Sequence, residues 1–580
     1  MTTPDRTPDN AAIVSFLQRQ ASLMQLAGLN SFRVRAFDNA ARRLEELEVD
    51  IAKMSLSDKL TEVDGIGKGL ADFVAEFIES GTTAAYDELT ETVPETLLDI
   101  LRIPGLGTKK VKAIYDALQI ASLEELEAAC NGGRLDGLAG FGKKTQENIL
   151  KGISSLARYQ GQYRLDQALL DAGPIVEQLL AHPATIRASV AGSLRRHKEV
   201  VKDVDIVLST DSPAEVAAAF ADFPQVIDVL SRGERKTTVR LQSGIQVDLR
   251  LVADEHYASM LHHFTGSKDH NVGMRSRALS RDMHLNEYGL FHGKKGDGER
   301  VSTADENELF GALDLSFVPA ELREGLGELE IAEQGKLPEL LQASEIRGIL
   351  HVHTSASDGH ASLEEMVDAV ASRGYEYVSI CDHSKSAGYV FGLKVADIEA
   401  QHAEIDKLQA HRDDIRILKG IESDILRNGA LDYDDEILAT FDLVVVAIHN
   451  AMAMDEGALT ERIIKASEHP ATDIFAHPTG RLLLEREGLK INMEDVIAAA
   501  AANGVALELN THPARLDLDW RWLRRAREAG CRIAVNPDAH KIPDLDNIEL
   551  GTGIARKGWL TRQDVINTLT ADELLAWSNT

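Results

Sequence analysis

"IRGILHVHTSASDGH", residues 346–360, puts His351 and His353 on alternate positions after an apolar lead-in and follows them with the Asp358-Gly359 pair. Taken alone, the stretch reads either as a metal box or as ordinary loop chemistry. Its surroundings decide. It opens a region in which seven short apolar runs, "IRGIL", "YEYVSI", "IRILKGI", "FDLVVVAI", "TDIFA", "GVALEL" and "CRIAV", alternate with helix-like spacers such as "SLEEMVDAVASRG" and "NMEDVIAAAAANG". Strict alternation of strand and helix implies a parallel sheet, and seven repeats suggest a barrel. Metal-type side chains then fall at the C-terminal ends of the runs: His351, His353 and Asp358 after the first, His383 after the second and Glu422 after the third. His449 ends the fourth, His477 the fifth, and the seventh leads into Asp538 and His540. Strand ends converge on one face of such a barrel, so these residues should meet. A single histidine at a strand end is commonly structural, but recurrence at nearly every strand is not coincidence. Imidazole mixed with carboxylate, without thiolate, suits Zn²⁺, Mn²⁺ or Fe²⁺.

The chain of 580 residues is too long for one hydrophobic core, and 44% hydrophobic with 27% charged residues is the composition of a globular protein. No stretch is apolar enough to cross a bilayer and the first residues lack a signal peptide's basic and apolar regions, so a cytoplasmic location is expected. Cys130, Cys381 and Cys531 are odd in number and far apart, which points to reduced, buried thiols. A formal charge of −31 argues against a polyanionic partner. Local basic runs qualify that: "RRHK", "RGERKTTVR" and "MRSRALSR" leave room for a basic groove on an acidic body.

The first 150 or so residues read as helical. Within them "LTEVDGIGKGLA" from Leu60, "ILRIPGLGTKKV" from Ile100 and "LDGLAGFGKKTQ" from Leu135 share one pattern, apolar-x-x-apolar-x-Gly-apolar-Gly with lysine soon after. Gly-x-Gly by itself also marks helix ends. Three copies in one apolar phase look like helix-hairpin-helix motifs, in which glycines permit a tight hairpin and the amides opening the second helix can meet a phosphate. By that likeness Gly65, Gly67, Lys68, Gly105, Gly107, Lys109, Gly140, Gly142 and Lys143 contact DNA, with Lys110 and Lys144 adding charge. Such hairpins position the backbone and do not read bases.

"VAGSLRRHKEVVKDVDIVL", Val190 to Leu208, carries the second centre. Residues two apart in a strand share a face, so Asp203 and Asp205 point together while Val204 and Ile206 enter the core. A hairpin follows in "TTVRLQSGIQVDLRLV", where Asp248 shares a face with Arg250. If the two strands are neighbours, Asp203, Asp205 and Asp248 supply the ligands for two Mg²⁺ or Mn²⁺ ions of phosphoryl transfer. The Gly192-Ser193 turn with Arg195 and Arg196 offers amides, a hydroxyl and guanidinium groups to a triphosphate.

This stretch is similar to the G-S…D-x-D signature of the nucleotidyltransferases, and "HHFTGSKDHNVGMRSRA" from His262 narrows the likeness to the family X DNA polymerases of the DNA polymerase beta kind. The resemblance implies that Ser193 and Arg196 hold the triphosphate beside Gly192, and that Phe264 and Gly266 pack against the incoming sugar. It further implies that Asn271 meets the base edge and that Arg275 reaches the template, with Arg250 also on the DNA side. His263 replaces the tyrosine of animal members. Phe73 stands at the position of their Schiff-base lysine, so deoxyribose-phosphate lyase activity should be weak or absent unless Lys68 substitutes. The C-terminal region resembles the PHP domain, with all nine ligand positions of a centre of up to three metals filled, and His360, Asp382 and Arg481 as neighbours.

The expected architecture is multidomain. Residues 1–85 form a helical domain with one hairpin and 86–160 carry the other two. Residues 161–250 form an α+β nucleotidyltransferase palm and 251–318 a thumb. An acidic linker at 319–345 leads to a (β/α)7-type PHP barrel at 346–580. The resemblance implies a monomeric gap-filling DNA polymerase of repair, acting on gapped or primed DNA with deoxynucleoside triphosphates, joined to a 3′-5′ exonuclease with possible abasic-site or 3′-phosphoesterase action. Two other readings compete: a small-molecule phosphatase barrel fused to a DNA-binding region, and a DNA-end scaffold whose centres have decayed.

Overall fold

The computed structural model describes residues 10–45, 51–57, 59–63, 65–387 and 391–578. It divides into two compact units, Met1–Gln160 and Gly161–Thr580. Among the described residues no helix is long and apolar enough to cross a membrane. All three cysteines are buried and free.

The first unit is helical, and one apolar cluster runs from Ile13 to Ile153, so the stretches 1–85 and 86–160 share an interior. Each glycine pattern lies directly before a helix: α1 (Lys68–Ser80), α2 (Thr108–Leu118) and α3 (Lys143–Tyr159). Gly65, Gly105 and Gly140 have φ of +84°, +82° and +88°, a conformation that side chains strain against. Between each glycine pair the apolar residue, Ile66, Leu106 or Phe141, is buried and anchors the turn. No side chain caps the three helices, and nothing lies within 4 Å of where a Cβ on any of the six glycines would stand. The third amide of each helix, of Leu70, Lys110 or Thr145, donates to the carbonyl of the preceding glycine at 3.0, 2.9 and 2.8 Å, and no side chain caps the two amides before it. Lys68, Lys109 and Lys143 are exposed beside them.

The second unit begins with a sheet of five strands, β1 (Arg187–Val190), β2 (Asp203–Ser209), β3 (Val226–Arg232), β4 (Lys236–Leu241) and β5 (Gln246–Val252), in the order β1-β2-β5-β4-β3. β2 and β5 are parallel neighbours with Asp205 opposite Asp248. Helices α4 (Tyr257–Thr265) and α5 (Lys268–Ser280) follow, then a small antiparallel sheet of residues 283–301. Residues 319–345, the acidic, leucine-spaced connector, pack against the preceding residues. Leu322, Ala332 and Leu340 join Met274 and Phe310 in one cluster. Acids of this stretch are partnered: Glu321 with Arg556, Glu324 with Lys557 and Glu328 with His270.

All seven apolar runs of the C-terminal half become strands: β6 (Gly348–Val352), β7 (Tyr377–Ile380), β8 (Arg416–Asp424), β9 (Leu443–Ala447), β10 (Ile474–Phe475), β11 (Ala506–Asn510) and β12 (Ile533–Asn536). They pair in sequence order, all parallel, and a bridge from Val352 to Ala539 nearly closes the barrel. Leu350, Leu418, Val445, Ile474 and Ala534 belong to the inner cluster, with Tyr377. Helices α6 (Trp520–Glu528) and α7 (Asn547–Lys557) follow β11 and β12, and Trp559 enters the cluster of Phe310 and Leu322.

A Cβ on Gly348 would lie 2.1 Å from the Tyr377 ring, whose hydroxyl donates to the Asn567 and Leu569 carbonyls at 3.1 Å. The ring is fully buried and its hydroxyl is held, so it has no room to retreat. Gly348→Ala is expected to cost about 1–3 kcal/mol by overpacking. Gly107→Ala, facing open space, should stay within about 0.5 kcal/mol. Chemical denaturation of the two variants measures both.

Candidate metal centres

Alternation along β2 leaves Asp203 and Asp205 half-buried on one face while Val204 and Ile206 are fully buried on the other. The β2–β5 pairing sets Asp248 beside them. Burial pushes the Asp205 carboxyl up to about 7, with Asp203 and Asp248 adding to the effect. Asp203 is raised by burial and by Asp248. Three carboxylates thus crowd one patch that favours a cation. In this state Lys236 supplies one, its ammonium 2.6 Å from Asp248, while Thr238 and Gln246 donate to the same carboxylate at 2.8 and 3.2 Å. Among the described residues the palm acids form no group of ligand atoms all within 4.8 Å of one another.

Gly192 turns behind this patch with φ +63°, and a Cβ there would stand 2.4 Å from Asp205 Oδ2. Only glycine lets the Ser193 turn approach the acids so closely. Arg195 donates to Thr265 Oγ1 and to Glu306, both at 2.6 Å, and Arg323 meets the other oxygen of Glu306 at 2.5 Å. Arg196 donates to Glu324 at 3.0 Å and to the Thr265 carbonyl, and a Cβ on Gly266 would lie 3.2 Å from its guanidinium. Arg196, which follows the Ser193 turn, is therefore brought to Gly266. Phe264 lies under the Arg250 guanidinium at 4.1 Å, and both line a cavity of about 710 Å³ with Lys236. Asn271 is buried and donates to the His263 carbonyl at 2.7 Å, leaving its Oδ1 without a partner. Arg275 is half-buried on α5.

In the barrel, eight of the nine expected ligands fall into three groups whose ligand atoms lie within 4.8 Å of one another: His353, Asp358, His383 and His540; His351, His353 and Asp538; His383, Glu422 and His449. His353 and His383 are shared between groups. His477 joins through its Nε2, 3.0 Å from Glu422 Oε1. The charges are strongly coupled. Burial opposes a proton on His383, His449 and His540, yet the carboxylates prevail: Glu422 above all for His383 and His449, Asp358 for His540. They lift the three to about 10, 9 and 9. Burial and the neighbouring His540 hold His353 down at about 3. Glu422 and Asp538 lie well below the usual carboxylate range despite burial, through His449 and His351 respectively. Such a cavity demands positive charge. Buried ring nitrogens of His351 and His353 have no hydrogen-bond partner, as metal-facing atoms would be left, while His383 Nδ1 lies 2.8 Å from Glu422 Oε2. The donor set fits up to three metal ions.

Around this ring stand residues that sequence reasoning missed. Glu508, on β11, accepts from His351 Nδ1 at 2.7 Å and from the His477 amide at 2.7 Å. Asp424 meets His449 Nδ1 at 2.7 Å, and Asn510 donates to Asp538 at 2.9 Å. These partners fix which ring nitrogen faces inward. The available signal was a glutamate at a buried alternate position of "GVALEL", costly unless paired. Asp382 instead braces the loop after β6, accepting from Thr354 at 2.9 and 2.7 Å and from Gln401 at 2.7 Å. Arg481 binds Asp519 at 2.5 Å, and His360 is exposed.

Comparisons agree with this layout. The helix-hairpin-helix domain matches residues 8–83 and the SAM-like helix-hairpin-helix tandem residues 97–154. The DNA polymerase beta thumb matches 260–324 and the PHP domain 350–512. A Bacillus subtilis (strain 168) protein named DNA polymerase/3′-5′ exonuclease PolX is 38% identical over 567 residues, covering 97% of this chain and 98% of its own length. The barrel half alone is similar to proteins named "Probable phosphatase". One is from Thermoanaerobacter sp. (strain X514), 28% identical over 38% of this chain and 89% of its own length. Another is from Acetivibrio thermocellus, 28% identical over 33% and 78%. With a relative matched from end to end and thumb and barrel families each in register with the fold, the chain belongs to the family X DNA polymerases that carry a C-terminal PHP domain.

Proposed function

We propose that this chain is a DNA-directed DNA polymerase that fills short gaps in repair, joined to a PHP-domain nuclease that trims 3′ ends. The observation that carries the reading is a pair of separate acid-lined centres within one compact unit, on β2 and β5 of the palm and at the strand ends of the barrel. The name of the end-to-end relative, DNA polymerase/3′-5′ exonuclease PolX, supports it.

In the palm, Asp203, Asp205 and Asp248 would hold two Mg²⁺ or Mn²⁺ ions, which supply Lewis acidity to the primer 3′-hydroxyl and the phosphate under attack. Lys236 must then release Asp248, which its flexible stem allows. The Ser193 turn and Arg196 bind the phosphates of a deoxynucleoside triphosphate, Phe264 and Gly266 back its sugar and Asn271 faces its base. Arg250 and Arg275 lie along the DNA, and the uncapped hairpin amides with Lys68, Lys109 and Lys143 hold its backbone without reading sequence. In the barrel His351, His353, Asp358, His383, Glu422, His449, His477, Asp538 and His540 would hold up to three Zn²⁺, Mn²⁺ or Fe²⁺ ions, supplying charge neutralisation and water activation for phosphodiester hydrolysis. Glu508 and Asp424 orient the imidazoles. The working unit is a cytoplasmic monomer.

The double variant Asp203→Ala/Asp205→Ala should abolish primer extension on a one-nucleotide gap while sparing 3′-end degradation, and His351→Ala should do the reverse. Loss of both activities from either folded variant contradicts two independent centres. Phosphate release from histidinol phosphate, set against nucleotide release from primed DNA, tests the phosphatase alternative.

Because the barrel ligands are buried with unpartnered atoms, metal at about a hundredfold above its dissociation constant should stabilise the second unit by about 2.7 kcal/mol. Calorimetry with Mn²⁺ and with a chelator reads this, and His351→Ala should shrink the difference.

Phe73 is packed against Phe16 and Phe37, at ring-centroid distances of 5.5 and 4.9 Å, while Lys68 is exposed and lacks the desolvation an amine nucleophile needs. Borohydride treatment with a deoxyribose-phosphate substrate is expected to trap no adduct on this protein. A trapped species lost in Lys68→Ala would reverse that expectation.

A further inference from the structure

Glu324 is one carboxylate serving two cations from distant parts of the chain. Its Oε1 accepts from Arg196 Nε at 3.0 Å and lies 2.5 Å from Lys557 Nζ, and Lys198 stands 4.0 Å from its other oxygen. Lys557 ends α7 in the barrel half, and its side chain is 0% exposed, where lysine is rarely found unless paired. The same ammonium donates to the Arg196 carbonyl at 2.9 Å and lies 4.5 Å from the centre of the Trp520 ring. Trp520 donates to Glu199 at 3.0 Å, and Arg521 reaches the same carboxylate at 2.9 Å. A Cβ on Gly553, within α7, would stand 2.1 Å from the His197 ring. Helices α6 and α7 of the barrel half thus clamp residues 196–199, directly after the Ser193 turn.

Arg196 faces a conflict at this position. To bind a phosphate it must give up or share Glu324, and a carboxylate abandoned in a buried setting bears the full desolvation cost. Lys557 removes the conflict, since Glu324 keeps a partner wherever the guanidinium goes. The geometry points to Lys557 as a positioning residue for nucleotidyl transfer: it acts as the standing counter-ion of Glu324, freeing the Arg196 guanidinium for the incoming triphosphate. The inference rests on the reading of Arg196 as a triphosphate ligand. It makes the nuclease half a contributor to the polymerase's nucleotide affinity without contact with the nucleotide.

The test compares full-length Arg196→Ala, Lys557→Met, Glu324→Gln and Lys557→Met/Glu324→Gln. Gap filling gives KM for the nucleotide and kcat, 3′-end degradation of single-stranded DNA reports the barrel, and thermal melts report folding. Lys557→Met should raise the nucleotide KM about tenfold, with kcat and degradation little changed. Adding Glu324→Gln, which releases Arg196, should bring KM back, and Glu324→Gln alone should leave KM at or below that of the unmodified protein. A role in folding alone predicts no such split and no rescue. The inference is overturned if Lys557→Met leaves KM unchanged, if the double variant is no better than the single, or if Glu324→Gln alone raises KM about tenfold; the last arm decides even if Lys557→Met does not fold. An Arg196→Ala protein with unchanged nucleotide KM would strike at the reading of Arg196 instead.

Discussion

Glu422 is 1% exposed at the middle of the barrel mouth, with His353, His383, His449 and His477 turned toward it. A lone carboxylate in such a place carries a desolvation cost that no protein tolerates without compensation. The whole ring exists to answer that cost. Seven parallel strands bring their ends to one circle, six of those ends deliver donors, and an outer layer of Glu508, Asp424 and Asn510 orients His351, His449 and Asp538. The palm answers the same constraint more loosely. Its acids lie on a partly buried strand face, and a single half-exposed lysine serves where the barrel commits buried imidazoles.

Much of this was legible before any coordinates. Runs such as "FDLVVVAI" and "GVALEL" are short, apolar and regularly spaced, so strand identity, order and the direction of their ends followed from periodicity alone. Asp203 and Asp205 were legible because alternation in a strand leaves no choice of face. The pairing of β2 with β5 was only conditional, since the hairpin fixes β4 against β5 and nothing local says which strand comes next. The partners of the acids in residues 319–345 were not legible for a physical reason: Arg556, Lys557 and His270 lie 58 or more positions away. Glu508 was passed over because it sits inside a strand rather than at its end.

The thumb shows how polar networks settle geometry that apolar packing leaves open. Arg323 is fully buried, shares Glu306 with Arg195 and passes its own carbonyl to the Ser267 amide at 2.9 Å. That chain of contacts ties the glycine-serine turn of the palm to the start of α5. Deleting one member would leave another charge buried without a partner, which is why such networks act as units.

Trp559 lies beyond α7, yet it is buried among Phe310, Leu322 and Leu340. The polymerase half therefore borrows part of its interior from a residue that follows the last barrel strand. A ribosome that has finished the thumb has not finished the thumb's core, which waits until the barrel strands have been made. Gene fusions usually leave each partner able to depart. Here departure of the nuclease would take a wall of its neighbour with it, so selection for synthesis alone would preserve the barrel's scaffold even where its hydrolysis were no longer needed.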